Sequence, residues 1–164
     1  VADRVREGIP YDAWIRDGWV KVTDGHRLDH EAVARDILEY GERHEIRAVG
    51  VDPWQAGALE TLLQREGITV KDIPQRTAYL NSACKLLEAL VVEKRLRHGG
   101  NPVAAWNANN VCVYTDATGM IKPDKQKSTE KIDGIPALVN ALCLASTDDD
   151  ATVGSLDDYR ITLI

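Results

Sequence analysis

Ile46-Arg47-Ala48-Val49-Gly50-Val51-Asp52-Pro53-Trp54-Gln55 is the stretch on which the fold class turns. Its first six positions form a short, mostly apolar run closed by Asp-Pro. That pattern predicts a buried strand from Ile46 to Val51 and a sharp change of direction after it. An aspartate followed by proline is also ordinary helix-start chemistry. A helix is expected next, because Leu59, Leu62 and Leu63 share one face and Gly67 stands just past its end. Ile68 to Ile73 then reads as a second strand. A strand, a helix and a strand in succession predict a parallel pair joined by a crossover.

The same alternation extends both ways. Upstream, Asp29 can cap a helix running to about His44, with Val33, Ile37 and Tyr40 at i, i+4 and i+7 and Ala34 and Leu38 beside them. Trp19 to Val22 alternates weakly before Asp24-Gly25 and is expected to be a short strand. Residues 1–17 have no clear period and read as a lead-in. Downstream, Ala83, Leu86, Leu87, Leu90 and Val91 mark the buried face of a helix from about Tyr79 to Lys94. Arg95 to Pro123, rich in Asn and Gly, with β-like residues at Val111 to Thr115 and a turn at Ala117-Thr118-Gly119, predicts a β-hairpin-like insertion. A last helix starts near Asp133, with Ile135, Leu138, Val139, Leu142 and Cys143 on its face. The expectation is an α/β layer fold in one domain, residues 1–146, followed by an acidic tail, 147–164, that is mobile except for a candidate strand at Tyr159 to Ile164. The chain opens at Val1 with no initiator methionine, which reads as a fragment, a processed chain or a trimmed one.

The net charge of −6 argues mildly against a nucleic-acid partner, but its distribution reverses the argument locally. The tail carries Asp148, Asp149, Asp150, Asp157 and Asp158 against Arg160. Lys94 to Lys131 carries seven Lys or Arg against Asp116, Asp124 and Glu130. Local charge decides where a phosphate backbone can sit. The cysteines, Cys84, Cys112 and Cys143, lack metal-ligand spacing and read as small buried hydrophobes. The four tryptophans are expected in a core or an interface. No apolar run is long enough to span a bilayer. There is no GxxxxGK[ST], GxSxG or HExxH, so a phosphate-loop ATPase, a serine hydrolase and a zinc protease have no support here.

Two aspartates stand where chemistry could sit. Asp52 ends a strand, where sites form in open α/β sheets. Asp133, in Lys131-Ile132-Asp133-Gly134-Ile135, opens the last apolar helix. Helix capping explains either one alone. Together on one sheet edge, such hard oxygen donors suit Mg²⁺ or Mn²⁺, and a pair of these ions can drive phosphodiester hydrolysis. Lys122, Lys125, Lys127 and Lys131 precede Asp133 and form either a solvated loop or a rim that tracks phosphates, which Arg97 and His98 could join.

These pieces, in order, resemble one family. Val51-Asp52-Pro53-Trp54-Gln55, Arg95-Leu96-Arg97-His98-Gly99-Gly100-Asn101-Pro102 with Trp106 and Asn110, Lys122-Pro123-Asp124-Lys125-Gln126-Lys127-Ser128, and Lys131-Ile132-Asp133-Gly134-Ile135 with Ala137 and Leu138 look like the large terminase subunit of tailed phages and prophages. Tyr11-Asp12-Ala13-Trp14 and Gly18-Trp19 also fit. The resemblance covers the chain to about Ala145. It implies an RNase H-like nuclease domain, a mixed sheet flanked by helices, lying after an ATPase domain in the parent protein. It implies a two-metal site using Mg²⁺ or Mn²⁺, with Asp52 and Asp133 as catalytic ligands. The family's first catalytic aspartate lies on the opening strand, upstream of this chain, so the resemblance also implies an N-terminally incomplete nuclease. The implied substrate is concatemeric double-stranded DNA, the implied partners are the portal protein and the small terminase subunit, and the implied location is the cytoplasm of the bacterial host. A non-catalytic module that docks on portal, small subunit or DNA stays open as an alternative. Another RNase H-like enzyme, such as a recombinase, is disfavoured by the His98-Gly99-Gly100-Asn101-Pro102 run.

Overall fold

A computed structural model describes residues 8–23, 28–54 and 56–147 and the backbone of 161–162. Most of the acidic tail and the Asp24-Gly25 turn lie outside the described residues.

The predicted alternation is present. Helix α1 (Tyr11–Arg16) and helix α2 (His30–Gly41) precede strand β1 (Val49–Val51). Asp29 caps α2 as expected, its carboxylate accepting from the N–H groups of Glu31 and Ala32 at 3.0 Å. Helix α3 (Gly57–Arg65) packs against α2, and its Leu63 is fully buried. Gly67 takes the left-handed conformation at φ +79°, and the Ile68 N–H returns to the Leu63 carbonyl at 3.0 Å, so the helix stops where the sequence said. Strand β2 (Val70–Asp72) pairs with β1 in parallel, Val49 opposite Val70 and Val51 opposite Asp72.

Helix α4 (Thr77–Val92) and helix α6 (Gly134–Thr147) form the centre of the molecule. Leu80, Ala83, Cys84 and Leu90 of the first meet Leu138, Val139, Leu142 and Cys143 of the second, with Ile73 completing the cluster. Burying side chains of this size stabilises by about 1.5–3 kcal/mol each before entropy is counted. Strand β1 packs on α6 at Gly50. A Cβ there would stand 3.1 Å from Ile73 and Leu144 and 3.2 Å from the Asn140 carbonyl.

Three expectations need correction. The lead-in contains α1, which is too short to show a period. It is held by Trp14, whose ring meets those of Tyr11 and Trp106 at centroid distances of 5.3 and 5.4 Å. Trp19 to Val22 is not a strand: Gly18, at φ +79°, turns the chain so that the Trp19 and Val20 N–H groups bond the Trp14 carbonyl. The region expected as a hairpin-like insertion is only partly one. Strand β3 (Leu96–Arg97) leads to a helix, α5 (Pro102–Asn110), and then to an antiparallel hairpin of β4 (Val113–Thr115) and β5 (Ile121–Pro123). Asn101 caps α5, accepting from the Val103 and Ala104 N–H groups, with Pro102 at the first helical position. Strand β6 (Ile161–Thr162) pairs in parallel with β3. The result is a mixed α/β fold whose strands form two-stranded ladders, parallel and antiparallel, among helices.

Candidate metal and DNA-contact site

Capping was the plain explanation for both aspartates, and the structure assigns capping to other groups. After β1, Asp52 accepts from the Trp54 N–H at 3.1 Å, which closes a local turn. Helix α3 begins only at Gly57 and has Ala56 at its cap. Asp52 is half-buried, whereas Trp54 is 90% exposed and so lies outside the core, the first of the two places expected for it.

Asp133 immediately precedes α6, and its carbonyl accepts from the Ala137 N–H. Its carboxylate, 65% exposed, accepts from Lys125 Nζ at 2.7 Å. The first N–H of α6, that of Gly134, donates instead to Asn107 Oδ1 at 2.7 Å. Asn107 Nδ2 donates to the Lys131 carbonyl at 3.1 Å. Asn107, 5% exposed on α5, is a site residue that the sequence reading missed. The Asn101-Pro102 helix-start signal could have revealed its helix, though not its contact across 27 positions.

The basic residues divide. Asp124 accepts from the N–H groups of Gln126 and Lys127, and this turn presents Lys125 and Lys127 to solvent. Lys131 is exposed as well. Lys122 on β5 is half-buried and donates to the Gln75 carbonyl at 3.2 Å, so it ties the hairpin to the segment before α4. Arg97 is exposed on β3, and His98 follows in a turn that needs Gly99 and Gly100 at positive φ. The His98 Nδ1 atom is buried without a hydrogen-bond partner. Across the hairpin turn, Asp116 accepts from the Thr118 hydroxyl and the Thr118 and Met120 N–H groups, and these bonds, the hydroxyl first, hold its carboxyl below the ordinary value.

Asp52 follows β1 and Asp133 precedes α6, two elements that pack on each other at Gly50, Asn140 and Leu144. Both offer hard carboxylate oxygens. Among the described residues, no group of three or more His, Cys, Asp or Glu stands close enough to hold an ion. Each carboxylate is a donor of the kind that suits Mg²⁺ or Mn²⁺, and the described residues do not by themselves complete a ligand set. Burial places Cys84 and Cys143 in the core as expected; all three cysteines are unpaired. Among the described residues, no helix is long and apolar enough to cross a membrane.

Residues 2–149 match the family described as terminase large subunit, endonuclease domain. The chain is 30% identical over 152 residues to the terminase large subunit of Enterobacteria phage HK97, covering 92% of this chain and 30% of that protein. It is 28% identical to protein YmfN of Escherichia coli strain K12, over 92% of this chain and 34% of that one. The crystal structure of the HK97 bacteriophage large terminase superposes with a TM-score of 0.79 at 30% identity, over 87% of this chain and 30% of that one. The large terminase nuclease from thermophilic phage G20c superposes at 0.54 with 16% identity, over 76% of this chain and 64% of that one, a likeness of fold. The chain thus spans about a third of the length of the curated relatives it matches.

Proposed function

Because the chain belongs to the terminase large subunit endonuclease-domain family, we propose that it is part of a metal-dependent endonuclease that cuts concatemeric double-stranded DNA during phage packaging. The observation that carries this reading is the release of both aspartates from helix capping, at the ends of two elements in contact. Asp52 and Asp133 would be two of the carboxylates that hold Mg²⁺ or Mn²⁺, the rest of the set coming from elsewhere in the parent protein. Two such ions, when bound, supply an activated water and charge stabilisation for phosphodiester hydrolysis.

The chain's own residues contribute position and charge. Gly50 lets β1 lie close on α6, which fixes where Asp52 leaves the sheet. Lys125 pairs with Asp133 and is exposed enough to turn towards a phosphate. Lys127 and Lys131 extend this positive rim, and Arg97 and His98 are its candidate members from the glycine turn. Phosphate contacts carry no base information, so cutting by this rim is expected to show little sequence preference. The proposed setting is the cytoplasm of the bacterial host, with an ATPase domain N-terminal in the same protein.

The β4–β5 hairpin favours a second, compatible role. Val113 and Tyr114 face solvent there, 54% and 39% exposed. This is the surface we assign to docking on the portal protein or the small terminase subunit.

Plasmid cleavage by the full-length protein with Mn²⁺ tests the nuclease reading. Asp52→Ala and Asp133→Ala are each expected to abolish cutting while thermal unfolding stays close to wild type. Normal cutting by either variant removes that residue from the site.

A further inference from the structure

We propose that Asn107 is a positioning residue for Asp133, acting from a different helix to hold the carboxylate where a metal ion would meet it. The inference rests on the reading of Asp133 as a metal ligand. Asn107 straddles Asp133: its side-chain oxygen takes the N–H of residue 134, and its side-chain nitrogen gives to the carbonyl of residue 131. Only this orientation of the amide satisfies both groups. The backbone on either side of Asp133 is thereby fixed, although the aspartate side chain is 65% exposed.

The arrangement is costly to build. Asn107 and Asn140 are the buried polar residues among those described. Burying an amide is unfavourable unless its hydrogen bonds are made, so the site is specified at both ends. Gly134 is required as well, because a Cβ there would stand 2.8 Å from Asn107 Oδ1. An aspartate before a helix would accept from its second or third N–H, but here the Ile135 N–H bonds the Ile132 carbonyl and Pro136 has none, so the Asp133 carboxylate has no capping bond to make. With no cap to make, the Asp133 carboxylate stands on a backbone that Asn107 holds on both sides, which is how a metal ligand is kept in place and an ordinary surface aspartate is not.

The test uses the full-length protein and two readouts, Mn²⁺ affinity by calorimetry without DNA and plasmid cleavage over a range of Mn²⁺ concentrations. Asn107→Ala removes the clamp. Gly134→Ala strains it while adding a residue of better helix propensity, so it decides the matter if Asn107→Ala fails to fold. Both are expected to weaken Mn²⁺ binding by about 10–100-fold, the usual cost of losing a residue that orients a ligand. Cleavage should recover at high Mn²⁺, with KM for DNA unchanged. Asp133→Ala should not recover at any concentration. Wild-type Mn²⁺ affinity in the folded clamp variants, with Asp133→Ala inactive, would reduce Asn107 to a structural cap and overturn the proposal. Wild-type binding and cutting by Asp133→Ala would instead remove the metal-ligand reading itself.

Discussion

Replacing Gly50 with alanine tests the packing that sets the position of β1. The added Cβ would lie 3.1 Å from Ile73 Cγ1, 3.1 Å from Leu144 Cδ1 and 3.2 Å from the Asn140 carbonyl oxygen. Comfortable contacts between carbons are about 3.5–4.0 Å, so the neighbours must give by a few tenths of an ångström. Ile73 is 1% exposed, and the Asn140 oxygen belongs to the backbone of the central helix, so neither yields cheaply. Overpacking of this kind costs about 1–3 kcal/mol. The loss of glycine's freedom in the unfolded chain returns about 0.4–1 kcal/mol. The net expectation is a destabilisation of about 1–2 kcal/mol, or a fall in Tm of about 3–6 °C for a domain of this size. Thermal unfolding followed by circular dichroism measures it. Gly57→Ala is the control: nothing lies within 4 Å of its Cβ, and the position opens α3, so the same substitution should raise Tm slightly. An unchanged or raised Tm for Gly50→Ala would refute the claim that α6 and β1 are held at a fixed separation by this contact.

Two other outcomes are expected. If Lys125 and Lys127 touch phosphates, the double substitution to alanine weakens DNA binding regardless of sequence and reduces the slope of log K against log salt by about 2; an unchanged slope would take them off the DNA path. Burial first, and then the nearby Cys143 thiol, push the Cys84 thiol from 9.0 up to about 11. Its folded-state value is raised, so its contribution to stability is complete below about pH 9 and is lost as pH rises towards 11. Native alkylation at mild alkaline pH should accordingly spare Cys84, and rapid labelling there would contradict its burial.

Much of the fold was legible because its signals are local. The Asp29 cap, the leucine face of α3 and the glycine stop at Gly67 each act within a turn of helix, and each appears where the residues placed it. Helix α5 was missed because its residues, mainly Ala and Asn, carry little apolar periodicity, and the glycine pair ahead of it reads as loop. Trp19 to Val22 failed for the opposite reason: a weak alternation was outweighed by the turn at Gly18. At the candidate site, sequence singled out the two aspartates but not the amide beside one of them. Asn107 reaches Gly134 only once α5 has docked, and no local pattern encodes that contact.

The β3–β6 ladder also bears on how the chain is made. Leu96 pairs with Ile161 and Arg97 with Thr162, so this strand pair waits on residues synthesised long after β3 has left the ribosome. Pairings so distant in sequence pay their loop-closure entropy late and form slowly. The α4–α6 core joins residues about as far apart, but all of its members precede Ile161 in the chain, so the core can assemble before this ladder closes. Arg97 is then set in place after the core, so the order in which the domain is finished follows from where residues 161–162 lie in the chain.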